Sequence, residues 1–209
     1  MSTISGEDGP CALLLAGGES RRLGGVPKAT LSVGDEAAIV RMARIAAAEG
    51  FAPAVVVAGR HYEQTVKALH GRSIPVVENR EWASGRTGSI RLGLDTLPTQ
   101  QDVLLWPVDH PLVEAKTLRV LRSVAEGDPM ALWLLPTYER RGGHPVYLRA
   151  PVRPMVQFLA PDAPLRALLR RLGPQVRRVP VTDPGVTSSV ETFEDYHAAL
   201  ANWRARGSP

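Results

Sequence analysis

The run Cys11-Ala12-Leu13-Leu14-Leu15-Ala16 is apolar without interruption, and Gly17-Gly18-Glu19-Ser20-Arg21-Arg22-Leu23-Gly24-Gly25-Val26-Pro27-Lys28 follows it directly. Six apolar residues closed by glycines read as a strand buried on both faces. Glycines after such a strand let a backbone approach a ligand with its amide groups turned inward. Arg21 or Arg22, together with Lys28, add cationic charge where an anion would need neutralising. The loop is neither Gly-x4-Gly-Lys-Ser/Thr nor Gly-x-Gly-x-x-Gly. Taken alone, it reads equally as an ordinary glycine-rich turn with solvated arginines.

Its surroundings decide the fold class. Residues 36–48 carry Ile39, Met42, Ala43 and Ala46 at helical spacing, and Gly50 follows as a stop. Ala54–Ala58 reads as a second buried strand, 61–69 as a helix and 74–77 as a third strand. Residues 84–97 read as a helix, 103–108 as a fourth strand and 114–125 as a helix. Later come a strand pair over 130–136 and 145–148, a short helix marked by Leu165, Leu168, Leu169 and Leu172, a strand over 176–181 and a closing helix over 193–205. Four strand–helix alternations imply an α/β fold of three layers, α/β/α, with a mostly parallel sheet and helices on both faces. Ligands of such folds sit beyond the carboxyl ends of the strands. Residues 16–28, 59–60, 78–89 and 109–111 are therefore the ones to weigh.

Bulk properties bound the function. The 209 residues suit a single domain over 1–209, with 1–10 expected to be disordered and the rest dividing into halves at 11–110 and 111–205. A formal charge of +4 is too mild to indicate a nucleic-acid binder, and suits an anionic small molecule as well. The lone Cys11 cannot form an internal disulfide, which fits a reducing cytoplasm, and its place before a strand marks it as a packing residue. Neither a signal peptide nor an apolar run of membrane-spanning length is visible, so a cytoplasmic protein with no membrane or nucleic-acid partner is expected.

Three more segments lie at strand ends or between apolar stretches. In Glu78-Asn79-Arg80-Glu81-Trp82-Ala83-Ser84-Gly85-Arg86-Thr87-Gly88-Ser89, the Asn79 carboxamide suits a base or ribose edge. Gly85 to Ser89 can present amides at a helix start, or the segment is simply a helix entry capped by Ser84 or Thr87. In Trp106-Pro107-Val108-Asp109-His110-Pro111-Leu112, Asp109 can hold Mg²⁺ or serve as a turn aspartate, and His110 reads as a loop residue. In Arg140-Arg141-Gly142-Gly143-His144-Pro145-Val146, charge and glycine fit either a ligand contact or a solvated hairpin tip.

Together these segments resemble the GT-A-type nucleotidyltransferases, a Rossmann-like superfamily, and within it the molybdenum-cofactor cytidylyl- and guanylyltransferases. The loop at 15–28 matches the Leu-Ala-(Ala/Gly)-Gly…Arg-(Met/Leu)-Gly…Lys signature. Asn-x-x-Trp-x-x-Gly-x-x-x-Ser-Ile, Asp-His-Pro-Leu and Gly-His-Pro-Val match segments of that branch, and the likeness spans about 11–200. The resemblance implies that Leu15, Ala16, Gly17 and Gly18 amides, with Arg22 and Lys28, hold nucleotide phosphates. It places Asn79, Gly85 and Ser89 at the nucleotide, Asp109 at Mg²⁺ (or Mn²⁺), and Arg141, Gly143 and His144 toward a phosphorylated acceptor such as a pterin phosphate. The family's closing acidic pair is replaced here by Ser189 and Glu191, which leaves Glu191 as the second metal ligand. Arginines around 140–153 and 166–178 suit an anionic acceptor or a solvated surface. The loop looks guanylyl and the later motifs cytidylyl, so the expected nucleotide is CTP or GTP, leaning to CTP.

The reaction so implied is direct: the acceptor phosphate attacks the α-phosphate and pyrophosphate leaves, with Arg22, Lys28 and Asp109 carrying catalysis. A transient contact with a molybdoenzyme or its chaperone would follow. Two alternatives stand beside it: transfer to another phosphate acceptor such as a sugar phosphate, and a nucleotide-binding homologue without activity, which the Ser189–Glu191 change motivates.

Overall fold

A computed structural model describes residues 9–207, so the disorder expected for 1–10 concerns mainly positions outside the described residues. The elements run in the order β1 (Cys11–Ala16), β2 (Ser32–Val33), β3 (Glu36–Ala37), α1 (Ala38–Ala48), β4 (Ala54–Ala58), α2 (Tyr62–Ala68), β5 (Val76–Glu78), α3 (Arg86–Thr96) and β6 (Val103–Pro107). Then follow α4 (Ala115–Gly127), β7 (Trp133–Tyr138), β8 (Arg141–Gly142), β9 (Val146–Leu148), α5 (Arg153–Gln157), α6 (Ala167–Leu172), β10 (Val176–Pro180) and α7 (Phe193–Ala205). Short 3₁₀ turns fill several connections.

The main sheet has the order β5-β4-β1-β6-β9-β7-β10, with β8 pairing β7. Strands β5, β4, β1 and β6 are parallel, β9 runs antiparallel to both β6 and β7, and β10 is parallel to β7. Every residue of β1 is buried, and its side chains alternate between two cores. Ala12, Leu14 and Ala16 join Ile39 and Met42 of α1 and Leu118 and Leu121 of α4. Cys11, Leu13 and Leu15 join Ile90 and Leu94 of α3, Val156 of α5 and Leu168 of α6. Burying each such Leu stabilises the fold by about 2 kcal/mol. The expected three-layer, mostly parallel arrangement is present.

The chain moves outward from β1 through β4 to β5, then α3 carries it back to β6 on the other side of β1. That reversal opens a crevice beyond the carboxyl ends of β1 and β6. The glycine-rich loop leaves β1 and Asp109 follows β6, so both fall on its rim.

Some boundaries differ from the sequence reading. The first helix begins at Ala38 rather than 36, because Glu36–Ala37 pairs with Ser32–Val33 in a hairpin and Ala38 N donates to Leu31 O at 2.8 Å. The helix expected from 84 is a 3₁₀ turn over Trp82–Ser84, a break at Gly85 and then α3. Neither Ser84 nor Thr87 caps it: Ser84 Oγ donates to Glu81 O, and Thr87 Oγ1 donates to Ala163 O at 2.6 Å. Pro151 and Pro154 hid α5, although proline is tolerated in a first helical turn.

The C-terminal segment closes over the loop. Leu23 and Leu31 of the loop pack with Val190, and Tyr196 lies against them. Helix α7 begins with a capping box in which Asp195 N donates to Thr192 Oγ1 at 3.1 Å and Thr192 N donates to Asp195 Oδ2 at 2.8 Å. It then packs Leu200 and Trp203 on Val33, Ala38 and Leu112. Among the described residues no helix is long and apolar enough to cross a membrane.

Candidate functional site

The crevice contains a cavity of about 460 Å³. Of the residues singled out from the sequence, Leu15, Gly17, Gly18, Arg22, Lys28, Ser89, Asp109 and Glu191 line it. They come from four separate parts of the chain. The loop itself is a tight turn: Ser20, Gly24 and Gly25 adopt positive φ of 55°, 61° and 83°, and Leu23 and Gly25 both donate their amides to Ser20 O. Glycine accepts that conformation without steric cost at 24 and 25. Among the described residues, nothing accepts a hydrogen bond from the amides of Gly17 to Ser20. Four consecutive free donors at a strand end are the makings of an anion nest. A Cβ on Gly17 would stand 3.0 Å from Ser89 Oγ, whereas one on Gly18 would meet only open space.

The charges of this cavity are paired across it. Lys28 Nζ lies 2.8 Å and Arg22 Nη2 3.0 Å from Glu191 Oε2, and Ser189 Oγ donates to Glu191 Oε1 at 3.2 Å. Val190 N donates to Asp109 O at 2.7 Å, which fixes residue 191 next to the β6 end. Asp109 Oδ1 lies 2.8 Å from His110 Nδ1, and Arg86 Nη2 stands 3.5 Å from Asp109 Oδ2. Burial by itself would push the Asp109 carboxyl up. The hydrogen bond and charge of His110, then Arg86 and Lys28, outweigh burial and hold the group well below the usual carboxylate range. Asp109 is thus an anion at any working pH.

Two side chains of this cavity have the chemistry that a divalent ion takes. Asp109 and Glu191 offer the hard oxygen donors that Mg²⁺ or Mn²⁺ takes, and Mg²⁺ is commonly held by one or two carboxylates with phosphates and water completing the shell. Among the described residues no group of three or more His, Cys, Asp or Glu side chains is placed to hold an ion without such help. The donor set therefore fits a metal–nucleotide complex rather than a bare ion.

Asn79 is held from within the protein as well as standing at a cavity wall. It is buried, its Nδ2 donates to Ser89 Oγ at 2.8 Å, and its Oδ1 accepts from Glu81 N at 3.0 Å. Both ends of the carboxamide are committed inside the protein, so the side chain braces Ser89 and the 79–81 turn. It lies at a neighbouring cavity of about 380 Å³ that also has Gly59, Arg60 and Trp82 in its wall. Trp82 is shared with the first cavity. Ala16 is buried at the end of β1, behind the loop. Gly85 lines neither of these cavities; with φ 135° it packs so closely that a Cβ would stand 2.3 Å from Pro161 O.

A further cavity of about 680 Å³ adjoins the first, with Leu15, Arg86 and Pro107 common to both. Its floor is apolar, with Leu105, Trp133, Leu135 and Val146, and its cations are Arg86, Arg141, Arg166 and Arg178. The arginine cluster read from the sequence thus divides. Arg141, Arg166 and Arg178 reach this cavity, while Arg153 is buried and donates to the carbonyls of Leu94 and Leu97. Arg149 pairs with Asp102 and Arg177 with Asp128. Gly143 lines the cavity, but its need for glycine is internal: a Cβ would stand 2.0 Å from Val186 O. His144 also lines it, edge-to-face with His110 at 4.9 Å between ring centroids. Burial pushes the His144 imidazole down to about 3, and the neighbouring His110 adds to the shift, so it is neutral. His110, read from the sequence as a loop residue, is buried and lines this second cavity. Arg86, Trp82 and His110 were missed as site residues; a cation right after Gly85 at a strand-end segment was the available signal for the first.

A glycine-rich turn with free amides, two carboxylates and several cations at the switch point of a mostly parallel sheet is the arrangement of an α/β protein built to take an anionic ligand. The chain belongs to the MobA-like NTP transferase domain family, whose model matches residues 12–176. A curated relative, nicotine blue oxidoreductase of Paenarthrobacter nicotinovorans, is 29% identical over 201 residues, covering 92% of this chain and 98% of the relative. Among solved structures, Rv0371c of Mycobacterium tuberculosis H37Rv is 26% identical with a TM-score of 0.75, over 92% of this chain and 98% of that one. A nucleotidyl transferase from Methanothermobacter shares the fold at 20% identity, with a TM-score of 0.80 over 96% and 100% of the two chains.

Proposed function

We propose that the protein transfers a nucleoside monophosphate from CTP or GTP to a phosphorylated small molecule, releasing pyrophosphate. The observation that carries this reading is the adjacency of two unlike cavities: one with a glycine nest, Lys28, Arg22, Asp109 and Glu191, the other with an apolar floor and a rim of arginines. The triphosphate would lie along Gly17–Ser20, with Arg22 and Lys28 as its cations, and the nucleoside would extend past Trp82 toward the cavity beside Asn79. The phosphorylated acceptor, a molybdopterin in the closest reading of the family, would enter by Arg141, Gly143 and His144.

An acceptor phosphate oxygen would form a bond to the α-phosphorus as the bond to the β-phosphate oxygen breaks. The leaving pyrophosphate takes the electron pair. No proton need move and no covalent enzyme intermediate is required, so positioning and charge neutralisation carry the rate. Lys28 would neutralise charge growing on the α-phosphate, and Arg22 would hold the outer phosphates. Asp109 and Glu191 would hold a divalent ion that bridges phosphate oxygens and offsets their charge. Manganese is present in a further structure of the M. tuberculosis protein, which supports a divalent ion in this family.

A pyrophosphate-release assay over the four NTPs and a panel of phosphorylated acceptors tests the reading. Lys28→Ala and Asp109→Ala should each lower release at least ~100-fold, the scale of a lost transition-state charge contact. Near-normal turnover in either variant sinks the assignment.

The curated relative supports a second reading, since its name assigns redox chemistry to a protein of matching length. In that case the first cavity would hold a nucleotide redox cofactor and the second its organic substrate. Oxidation of NADH or NADPH with no pyrophosphate release would select this reading.

A further inference from the structure

We infer that Arg86 is a substrate-binding residue that grips the acceptor's phosphate at the junction of the two cavities; this rests on the transferase reading above. Three residues line both cavities, and of Leu15, Arg86 and Pro107 only Arg86 is charged. Whatever bond forms between a molecule in one cavity and a molecule in the other forms at that boundary.

The backbone carrying Arg86 is clamped. Gly85 before it abuts Pro161 and Asp162, Thr87 Oγ1 donates to Ala163 O at 2.6 Å, and Gly88 N donates to Pro161 O at 3.2 Å. The side chain is not clamped. It is 62% exposed, and among the described residues its polar contact is a single one, to Asp109 Oδ2 at 3.5 Å. A pair of that length and exposure costs little to open. Lys28 and Arg22, by contrast, are both engaged with Glu191. Arg86 is thus a rooted guanidinium with a weakly held head, and its planar fork presents two parallel donors that match phosphate oxygens.

Two anions must meet for the transfer, and their repulsion rises as the acceptor oxygen nears the α-phosphate. A guanidinium bridging the acceptor phosphate at the boundary screens that repulsion and aligns the attacking oxygen. Asp109 is freed by the same movement for the divalent ion. Arg86 takes no part in bond making. The bond formed is acceptor oxygen to α-phosphorus, the bond broken is α-phosphorus to the bridging oxygen, and pyrophosphate leaves with the pair.

The test uses the full chain as wild type, Arg86→Gln, Arg86→Lys and Arg171→Gln, the last an exposed arginine outside both cavities that matches the charge change. Calorimetry first measures the affinity of the α,β-methylene analogue of the NTP that wild type binds best. Phenyl phosphate is then titrated into protein saturated with that analogue. Arg86→Gln should leave the analogue within about twofold and weaken phenyl phosphate by tenfold or more, the scale of one charge-assisted hydrogen-bonded contact. Arg86→Lys should fall between, and Arg171→Gln should match wild type. Equal weakening of both ligands would overturn the inference in favour of a nucleotide-side role. Unchanged phenyl phosphate binding, or an equal loss in Arg171→Gln, would overturn it outright. Both readouts are affinities, so a wild type that binds both probes but releases no pyrophosphate refutes the transferase reading separately; one that binds neither refutes both.

Discussion

Replacing Glu191 by Gln separates its two roles, because they predict opposite signs. Its carboxylate lies 2.8 Å from Lys28 Nζ and 3.0 Å from Arg22 Nη2, and would also hold the divalent ion. The Lys28 side chain is 12% exposed and that of Glu191 29%, so their attraction falls between the surface and interior limits, at about 2 kcal/mol after screening. Arg22 is 68% exposed, and its pair adds no more than about 0.5 kcal/mol. Without metal, an incoming triphosphate must draw both cations away from this carboxylate. Glu191→Gln removes that competition, and metal-free NTP affinity should rise by roughly 30- to 60-fold, about 1.4 kcal/mol per factor of ten. With Mg²⁺ the same change removes a ligand, so the enhancement of affinity by metal should shrink and turnover should fall. Calorimetric titrations in EDTA and in Mg²⁺ read both effects on one protein preparation. A metal-free affinity that is unchanged or weaker in the Gln variant refutes the competition argument.

Other consequences are equally direct. Gly18→Ala places a Cβ in open space within the first cavity, so thermal stability should hold or rise slightly while NTP affinity falls; retained affinity would show that the triphosphate does not track this backbone. Asp183 is fully buried and accepts from Glu114 N, Thr117 Oγ1 and Gly185 N, so Asp183→Ala should cost at least ~3 kcal/mol in denaturant unfolding by stranding three donors. His144, held at about 3 in the folded chain against 6.5 for the ordinary imidazole, makes the unfolded chain the first to bind a proton as pH falls. Its contribution is therefore intact above about pH 6.5 and lost on the way down toward 3; at pH 5 the loss is about 2 kcal/mol. Urea unfolding at pH 7.5 and 5 should show about that much more acid sensitivity in wild type than in His144→Gln, and equal sensitivity would refute the assigned burial effect.

The linear sequence by itself determined the layered fold and the rim on which chemistry falls. An unbroken apolar β1 followed by glycines, and strand–helix alternation through β6, suffice because burial pattern and glycine chemistry are local properties. They placed Gly17, Gly18, Lys28 and Asp109 at strand ends without reference to any neighbour.

Tertiary structure decided what these residues face. Asn79 has the chemistry of a base reader, and only packing shows that its carboxamide also bonds Ser89 and Glu81. Gly85 and Gly143 read from the sequence as ligand approaches, but what excludes a side chain at each is the chain itself, at Pro161 and Val186, even though Gly143 still lines the second cavity. Glu191 lies 163 positions from Lys28 in the numbering and forms an ion pair with it at 2.8 Å, because Val190 packs under the loop and bonds Asp109. Arg86 gains its interest solely from standing between two cavities whose walls are assembled from distant segments. Side-chain partners across a fold depend on contacts of long sequence separation, and no local pattern encodes them.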